Sequence, residues 1–133
     1  MSRTSGLNHL GLAVHHLDET AAFFINCLGW VESGRDPSYP RTAVSDGSVR
    51  LTLWQVDHEL DTVPFDRRKN VGLHHVALEV NSLAELENLS HKVRDYPGVV
   101  MEFMPEPLGE GPRVHMMFAE PGGIRLELIC AGE

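Results

Sequence analysis

Two stretches of the chain show the same order of apolar and polar positions. The segment that begins at Asn8 reads NHLGLAVHHLDETAAFF, and the segment that begins at His74 reads HHVALEVNSLAELENLS. In each, a few β-favouring residues precede a polar break, after which apolar residues recur at helical spacing. Each stretch therefore predicts a short strand, a turn and a helix, repeated at an offset of 66 residues from position 8 to position 74.

Capping residues set the expected limits of the two helices. Asp18 is predicted to cap the first helix, and Gly29 is predicted to end it. Ser82 is predicted to cap the second helix, because Glu85 stands three residues later in the pattern of a capping box. The Pro-Gly pair at 97–98 is predicted to end that helix.

A second match closes the two repeats. The run DGSVRLTL at 46–53 corresponds to PGGIRLEL at 121–128, an offset of 75 residues from position 52 to position 127. Each run predicts a turn followed by an alternating strand. The difference between the two offsets makes the second repeat nine residues longer, and we expect the extra length in a Pro/Gly-rich loop from Pro105 to Pro112.

The predicted order of elements is β-α-β-β-β, given twice. Module 1 covers residues 6–57, module 2 covers residues 71–131, and the polar stretch 58–70 is predicted to link them. Strands in mixed or largely antiparallel sheets, with helices on one face, define the α+β class. We expect a single domain over residues 1–133, a length that suits one compact hydrophobic core.

Strand alternation predicts a candidate site on the sheet faces away from the helices. Because successive side chains of a strand point to opposite faces, His9 and His75 lie opposite the apolar positions of the first strands. Glu127 likewise lies opposite Leu126 and Leu128 of the last strand. A buried carboxylate without a partner is costly. A metal ion held with two imidazoles would satisfy Glu127 and would leave open coordination positions.

Composition narrows the classes of function. The formal net charge is −8 without a basic stripe, so a nucleic-acid partner is not expected. No apolar stretch approaches the ~20 residues of a membrane helix, and the start of the chain lacks the features of a signal peptide. Cys27 and Cys130 stand far apart in no CxxC pattern, which indicates buried thiols in a reducing compartment. We therefore expect a cytoplasmic protein.

Three features together resemble the glyoxalase, bleomycin-resistance and extradiol dioxygenase superfamily, also called the vicinal oxygen chelate superfamily. They are the repeated histidine-containing first strand, a helix that ends in Leu-Gly-Trp, and the terminal run EPGGIRLELI. The resemblance covers nearly the whole chain and implies two βαβββ modules that form a cupped mixed sheet around a metal ion. It implies His9, His75 and Glu127 as metal ligands, with Thr52 at the fourth ligand position. A homodimer is also implied.

Three positions depart from the patterns of individual subfamilies. Glyoxalase I has a second glutamate where this chain has Thr52, and Gln55 has the wrong parity to replace it. Ring-cleaving dioxygenases have a tyrosine ten residues before the metal-binding glutamate, where this chain has Met117. Fosfomycin-resistance transferases have a threonine two residues after the first histidine, where this chain has Gly11. The resemblance therefore leaves the reaction open.

Further polar residues share faces with the predicted ligands. Arg50 and Arg125 stand two residues before Thr52 and Glu127. One interpretation is that both arginines hold an anionic group of the substrate, for which the guanidinium geometry is suited. The other is that they pair with Glu79 or with another acidic residue and have a structural role.

His115 is a candidate general acid or base, because it shares parity with Met117 and histidine is a residue type that transfers protons near neutral pH. The alternative is a strand histidine at the rim of the cavity. Thr52, Trp54 and Met117 are predicted to contact the substrate. The remaining histidines are expected to be solvated or locally bonded: His15, His16, His58, His74 and His91.

The resulting hypothesis is a metal-dependent lyase or isomerase that acts on a small oxygen-chelating substrate. The metal ion would be Zn²⁺, Ni²⁺, Mn²⁺ or Fe²⁺, since the ligand types do not decide among them, and Glu127 is the candidate base among the ligands. Two other classes stay open. One is a dioxygenase or a fosfomycin-type thiol transferase on the same triad, and the other is a non-catalytic binding protein of the bleomycin-resistance type.

Overall fold

The computed structural model describes residues 1–132 and contains two compact units, Met1–Thr62 and a second unit that begins at Val63. The first unit consists of β1, Leu10–Val14; α1, Leu17–Ala22, which continues into a π-helical turn, Phe23–Cys27; β2, Val31–Asp36; β3, Arg41–Ser45; and β4, Arg50–Gln55. The second unit consists of β5, Val76–Glu79; α2, Leu83–Asp95; β6, Val100–Pro107; β7, Val114–Ala119; and β8, Arg125–Cys130.

Each unit holds one four-stranded mixed sheet. The strand orders are β1-β4-β3-β2 in the first unit and β5-β8-β7-β6 in the second. The first strand of each unit pairs in parallel with the last strand, and the other pairings are antiparallel. The predicted α+β class and the doubled βαβββ order are therefore confirmed.

The start of α1 differs from the prediction. His16 is the N-cap residue and makes no side-chain capping bond, whereas Asp18 lies inside the first turn. An amide at the start of the helix finds its acceptor on β4, since the Leu17 N–H donates to Oε1 of Gln55 at 3.0 Å. Asp18 pairs with Arg35 at 2.8 Å. The prediction of Asp18 as the cap was wrong because a residue distant in sequence supplies the acceptor that a local side chain usually provides.

The other predicted helix limits are confirmed. Gly29 has a φ of +74° just after the π-helical turn, a conformation that favours glycine. Oγ of Ser82 accepts a hydrogen bond from the Glu85 amide at 3.1 Å, which caps α2. The buried stripe of α2 is Leu86, Ser90 and Val93.

The extra length of the second repeat is only partly a loop. β6 extends to Pro107 and therefore includes Pro105, which was expected in the loop. β6 is an edge strand with two register shifts against β7, and a proline is tolerated there because it interrupts no continuous ladder. The turn itself closes where the Leu108 amide donates to the carbonyl of Arg113 at 2.9 Å.

The apolar faces of the strands form the core of each unit. Leu51 and Leu53 of β4 are fully buried in the first unit, as are Leu126 and, almost completely, Leu128 of β8 in the second. Cys27 and Cys130 are both buried thiols, as expected. Among residues 1–132, no helix has both the length and the apolar character that a membrane span requires.

Candidate metal centre and catalytic residues

Glu127 is a buried carboxylate at the middle of β8. It is 7% exposed, between Leu126 and Leu128 on the opposite face. The residues beside it on the neighbouring strands are Ala77 of β5 and Met117 of β7. Because neither can pair with a charge, Glu127 needs partners that reach it diagonally across the sheet.

His75 is the first of these partners. It directly precedes β5, and its Nε2 lies 3.1 Å from Oε1 of Glu127. The parallel pairing of β5 with β8 sets this approach, because Ala77 is directly opposite Glu127 and His75 is two residues earlier on the same face. The structure thus brings together two of the three residues predicted as metal ligands.

His115 is the second partner. Its Nδ1 lies 2.5 Å from Oε2 of Glu127, and its side chain is 12% exposed. Its ring also packs against Phe103, with 4.9 Å between the ring centroids. An ionised carboxylate can only accept, so Nδ1 of His115 donates to it, and in the neutral imidazole Nε2 carries a lone pair. His115 therefore contacts Glu127 through one nitrogen and keeps the other available as a base.

A chain of donors fixes the proton of His75. Nδ1 of His74 lies 3.3 Å from Nη1 of Arg125 and 2.7 Å from Nδ1 of His75. A guanidinium can only donate, so Nδ1 of His74 is an acceptor, and its single lone pair is shared between Arg125 and Nδ1 of His75, which then acts as a donor. In the neutral imidazole, Nε2 of His75 then carries the lone pair that a metal ion would use.

The state of His74 agrees with its role as an acceptor. The pKa of His74 lies below its ordinary value, first because of desolvation and then because of the positive charge of Arg125. A lowered pKa favours the neutral imidazole, which retains the lone pair that accepts from His75.

Arg125 is held by an acidic residue. Its Nε lies 2.6 Å from Oε1 of Glu102, and its Nη2 lies 2.9 Å from Oε2. The bidentate contact lowers the pKa of Glu102 and raises that of Arg125. Of the two interpretations of this arginine, the structure shows pairing with an acid, and the acid is Glu102 in place of Glu79. Its donors are directed at Glu102 and His74, and a role of Arg125 in binding the substrate stays a prediction.

In the first unit, His9 repeats the arrangement of His75. It precedes β1, it is exposed, and its Nδ1 lies 2.7 Å from Oδ1 of Asn8. The amide oxygen can only accept, so Nδ1 of His9 carries the proton and Nε2 carries the lone pair. Asn8 and His74 occupy equivalent positions of the repeat. Each module thus supplies the residue before its predicted ligand as the acceptor that sets the tautomer.

Thr52 occupies the position that corresponds to Glu127. It is buried, it lies opposite Gly11 of β1 and Ala43 of β3, and its Oγ1 accepts from Nε1 of Trp54 at 2.9 Å. A β-carbon on Gly11 would stand 3.2 Å from Oγ1 of Thr52 and 3.5 Å from Nε1 of Trp54. The absence of a side chain at Gly11 therefore leaves the room that this hydrogen bond requires.

Trp54 has an aromatic and a cationic neighbour. The ring of Tyr39 packs edge-on at 4.8 Å between centroids, and the guanidinium carbon of Arg41 lies 5.4 Å from the indole centroid. Arg50 is exposed at the start of β4. Gln55 is directed to the start of α1, as its parity predicts.

The sequence arguments missed three residues of the site. The sequence could have revealed Asn8 and His74, because each directly precedes a predicted ligand at the same position of the repeat. Nothing in the sequence indicated Glu102, since its contact with Arg125 joins two strands that are not adjacent in the sheet.

The residues of the second unit fit a divalent metal ion. Two atoms that bind one metal at about 2.1 Å lie roughly 3.0–3.4 Å apart, and Nε2 of His75 lies 3.1 Å from Oε1 of Glu127. When His75 is neutral and donates through Nδ1, its Nε2 and Oε1 of Glu127 both have lone pairs that one cation can share. Neutral imidazole and carboxylate are ligands that Zn²⁺, Mn²⁺, Fe²⁺ and Ni²⁺ all accept.

Solved structures of similar fold include a glyoxylase/bleomycin resistance protein/dioxygenase domain from Frankia sp. EAN1pec. It is 24% identical, the match covers 98% of this chain and 93% of that one, and the TM-score is 0.81. The fosfomycin resistance protein FosX from Listeria monocytogenes is 20% identical over 96% of this chain and 93% of its own, with a TM-score of 0.71. A mutant of FosX has been solved in complex with Mn(II) and 1S,2S-dihydroxypropylphosphonic acid, with 21% identity, coverages of 98% and 92%, and a TM-score of 0.73.

These identities show a shared fold. No curated protein matched the chain. The family model described as Glyoxalase/Bleomycin resistance protein/Dioxygenase superfamily matches residues 6–128, which is almost the whole sequence. Together with the doubled βαβββ topology, this match identifies the chain as a member of the Glyoxalase/Bleomycin resistance protein/Dioxygenase superfamily.

Proposed function

We propose that this protein is a divalent-metal-dependent enzyme of the glyoxalase type, a lyase or isomerase that moves a proton on a small substrate with two adjacent oxygen atoms. The observation that carries the proposal is the 3.1 Å separation of Nε2 of His75 and Oε1 of Glu127, which suits two ligand atoms of one metal ion. His75 and Glu127 are the proposed ligands in the second unit, and His9 stays the ligand predicted from the first unit. A divalent ion bound by them would supply Lewis-acid polarisation of the substrate oxygens.

The two oxygens of Glu127 would have different tasks. Oε1 is directed at His75 and is the proposed ligand atom, whereas Oε2 accepts from Nδ1 of His115. This second contact orients His115 and leaves its Nε2 free to take a proton from a substrate carbon and to return it at another atom. The role is that of a general base and then a general acid. Low exposure of both side chains limits the access of water to the pair.

The remaining residues would position the substrate. Oγ1 of Thr52 accepts from Trp54, so its own hydroxyl proton can be donated to a substrate oxygen. Trp54 would supply an apolar surface, and Met117 would do the same beside Glu127. Arg50 is exposed and would attract an anionic group of the substrate.

A fosfomycin-type reaction is the second candidate, because FosX is among the proteins of similar fold. The environment of Gly11 argues against it. A β-carbon at this position would already stand 3.2 Å from Oγ1 of Thr52, so the threonine expected of that subfamily would displace Thr52 or Trp54. A dioxygenase and a non-catalytic binding protein are the alternative functions. The homodimer stays a prediction, and the proposal does not choose among the four metal ions.

The first test is metal content by elemental analysis on protein without a polyhistidine tag, supplied in turn with Zn²⁺, Ni²⁺, Mn²⁺ and Fe²⁺. We expect His75→Ala to retain one ion per chain fewer than the wild type and His91→Ala, a variant of an exposed histidine of α2, to retain as much as the wild type. Retention of iron together with oxygen consumption would favour the dioxygenase. Equal metal contents in the wild type and in His75→Ala would contradict the proposed centre.

A further inference from the structure

Three histidines of the first unit form a separate cluster. His15 and His16 lie between β1 and α1, and His58 lies three residues after the end of β4. All three are exposed, and one ligand nitrogen from each lies within 4.8 Å of the other two. Among residues 1–132, this is the one group of three or more His, Cys, Asp or Glu side chains that meets this distance. None of the three belongs to the proposed ligand set or is used in the proposed reaction.

We propose that His15, His16 and His58 form a second metal site that binds a divalent ion of the zinc, nickel or copper class. Imidazole suits these ions, and three imidazoles with open positions are an established ligand set for zinc. The three rings are mutually close, with centroid separations of 4.2, 5.1 and 5.1 Å. Since the side chains are exposed, small rotations can bring the nitrogens to the roughly 3.0–3.4 Å that a shared ion requires.

The fold holds the two segments of the cluster together. β1 and β4 are parallel neighbours, so both strands end at the same edge of the sheet. The Val56 amide donates to the carbonyl of Val14 at 2.9 Å, and the Leu17 amide donates to Gln55 at 3.0 Å. The backbone around the histidines is therefore fixed on both sides, which lowers the entropic cost of assembling three ligands.

His58 has the outer hydrogen bond that is typical of a metal-binding histidine. Its Nε2 lies 2.6 Å from the backbone carbonyl of His15. A carbonyl can only accept, so Nε2 carries the proton, the ring is oriented, and Nδ1 presents a lone pair. A backbone carbonyl that accepts from the second nitrogen is a common partner of zinc-bound imidazoles.

Charge near the cluster also favours a cation. Asp57 and Glu59 flank His58 in sequence, and Asp61 stands three residues after His58. On the other segment, Glu19 lies in the first turn of α1, three residues after His16, and Asp18 beside it is paired with Arg35. These acidic residues would raise the local concentration of a divalent cation. A bound ion would join the β1–α1 turn to the segment after β4 and would stabilise the first unit.

The test is calorimetric titration of the full chain, without a polyhistidine tag, with Zn²⁺ at pH 7.5. It compares the wild type with His58→Ala, His15→Ala, His75→Ala and His91→Ala. We expect the His58 and His15 variants to lose one Zn²⁺-binding event. If the event is still detected, its dissociation constant should be about tenfold higher or more. His75→Ala and His91→Ala should retain that event. The His75 variant separates this site from the proposed catalytic centre.

Thermal unfolding provides a second readout in the His75→Ala background. Zn²⁺ should raise the Tm of this protein, because an ion that binds only the folded state stabilises it. It should not raise the Tm when His58→Ala is added. Circular dichroism of each variant without metal verifies that it is folded. Zinc binding and a zinc-dependent Tm that are unchanged in both His58→Ala and His15→Ala would overturn the proposal.

Discussion

Nδ1 of His115 lies 2.5 Å from Oε2 of Glu127, on the side of the carboxylate away from His75. The two residues are twelve positions apart on antiparallel neighbouring strands, and the contact runs diagonally because Met117 is directly opposite Glu127. The two oxygens of this buried carboxylate therefore have different proposed roles. Oε1 would bind the metal ion, and Oε2 would orient His115 as a base.

Replacing His115 separates these two tasks. His115→Gln can still donate an amide proton to Glu127 but has no basic nitrogen. We expect its metal content to equal that of the wild type and its kcat to fall by about 10²–10⁴ on any small substrate that the wild type turns over. Elemental analysis and steady-state kinetics measure the two quantities. Wild-type turnover by this variant would exclude His115 as the base and leave Glu127 in that role.

His74 is expected to act through His75 as a positioning residue. His74→Phe removes the acceptor of the Nδ1 proton of His75, so the dissociation constant of the metal should rise about tenfold. His74→Asn supplies an amide oxygen like that of Asn8 in the other module, and it should restore most of the affinity. Competition with a metal chelator measures both constants. A purely structural role would instead weaken binding equally in the two variants.

The ion pair of Glu102 with Arg125 predicts a pH-dependent contribution to stability. Arg125 lowers the pKa of Glu102 below 4.5, its ordinary value. The folded state therefore favours the ionised form, and the contribution is fully present above pH 4.5 and is lost as the pH falls through the lowered pKa.

Glu102→Gln should therefore lower the free energy of unfolding by about 1 kcal/mol at neutral pH, given that the Glu102 side chain is partly exposed. The difference from the wild type should shrink as the pH is lowered below 4.5. Urea titrations across this range measure it, and Glu110→Gln in the loop after β6 is the matched control. A difference that stays constant with pH would show that the pair contributes through packing alone.

Gly11 should be intolerant of a side chain. Gly11→Ala places a methyl group 3.2 Å from Oγ1 of Thr52, so Thr52 or Trp54 must shift. We expect a loss of about 1 kcal/mol in the free energy of unfolding and a change in tryptophan fluorescence. Gly111→Ala is the control, because no atom lies within 4 Å of the added carbon there. Equal stabilities of the two variants would contradict the close packing at Gly11.

The sequence by itself determined the doubled architecture. The repeat gave the strand-turn-helix order, and strand alternation placed His75 and Glu127 on one face, where the parallel pairing of β5 with β8 brings them together. The alternation argument works because side-chain direction in a strand depends on the backbone period and hardly on the partner strand. Ser82 was predictable for a similar reason, since its capping bond is local.

Only the tertiary structure decided which partners the polar side chains take. Gln55 replaces the expected cap of α1, and Glu102 holds Arg125 from a strand that is not its neighbour. His58 meets His15 and His16 because β1 and β4 end at the same edge. Such contacts depend on strand order, register and twist together, and the free energy of each is small enough that sequence alone does not favour one partner over another.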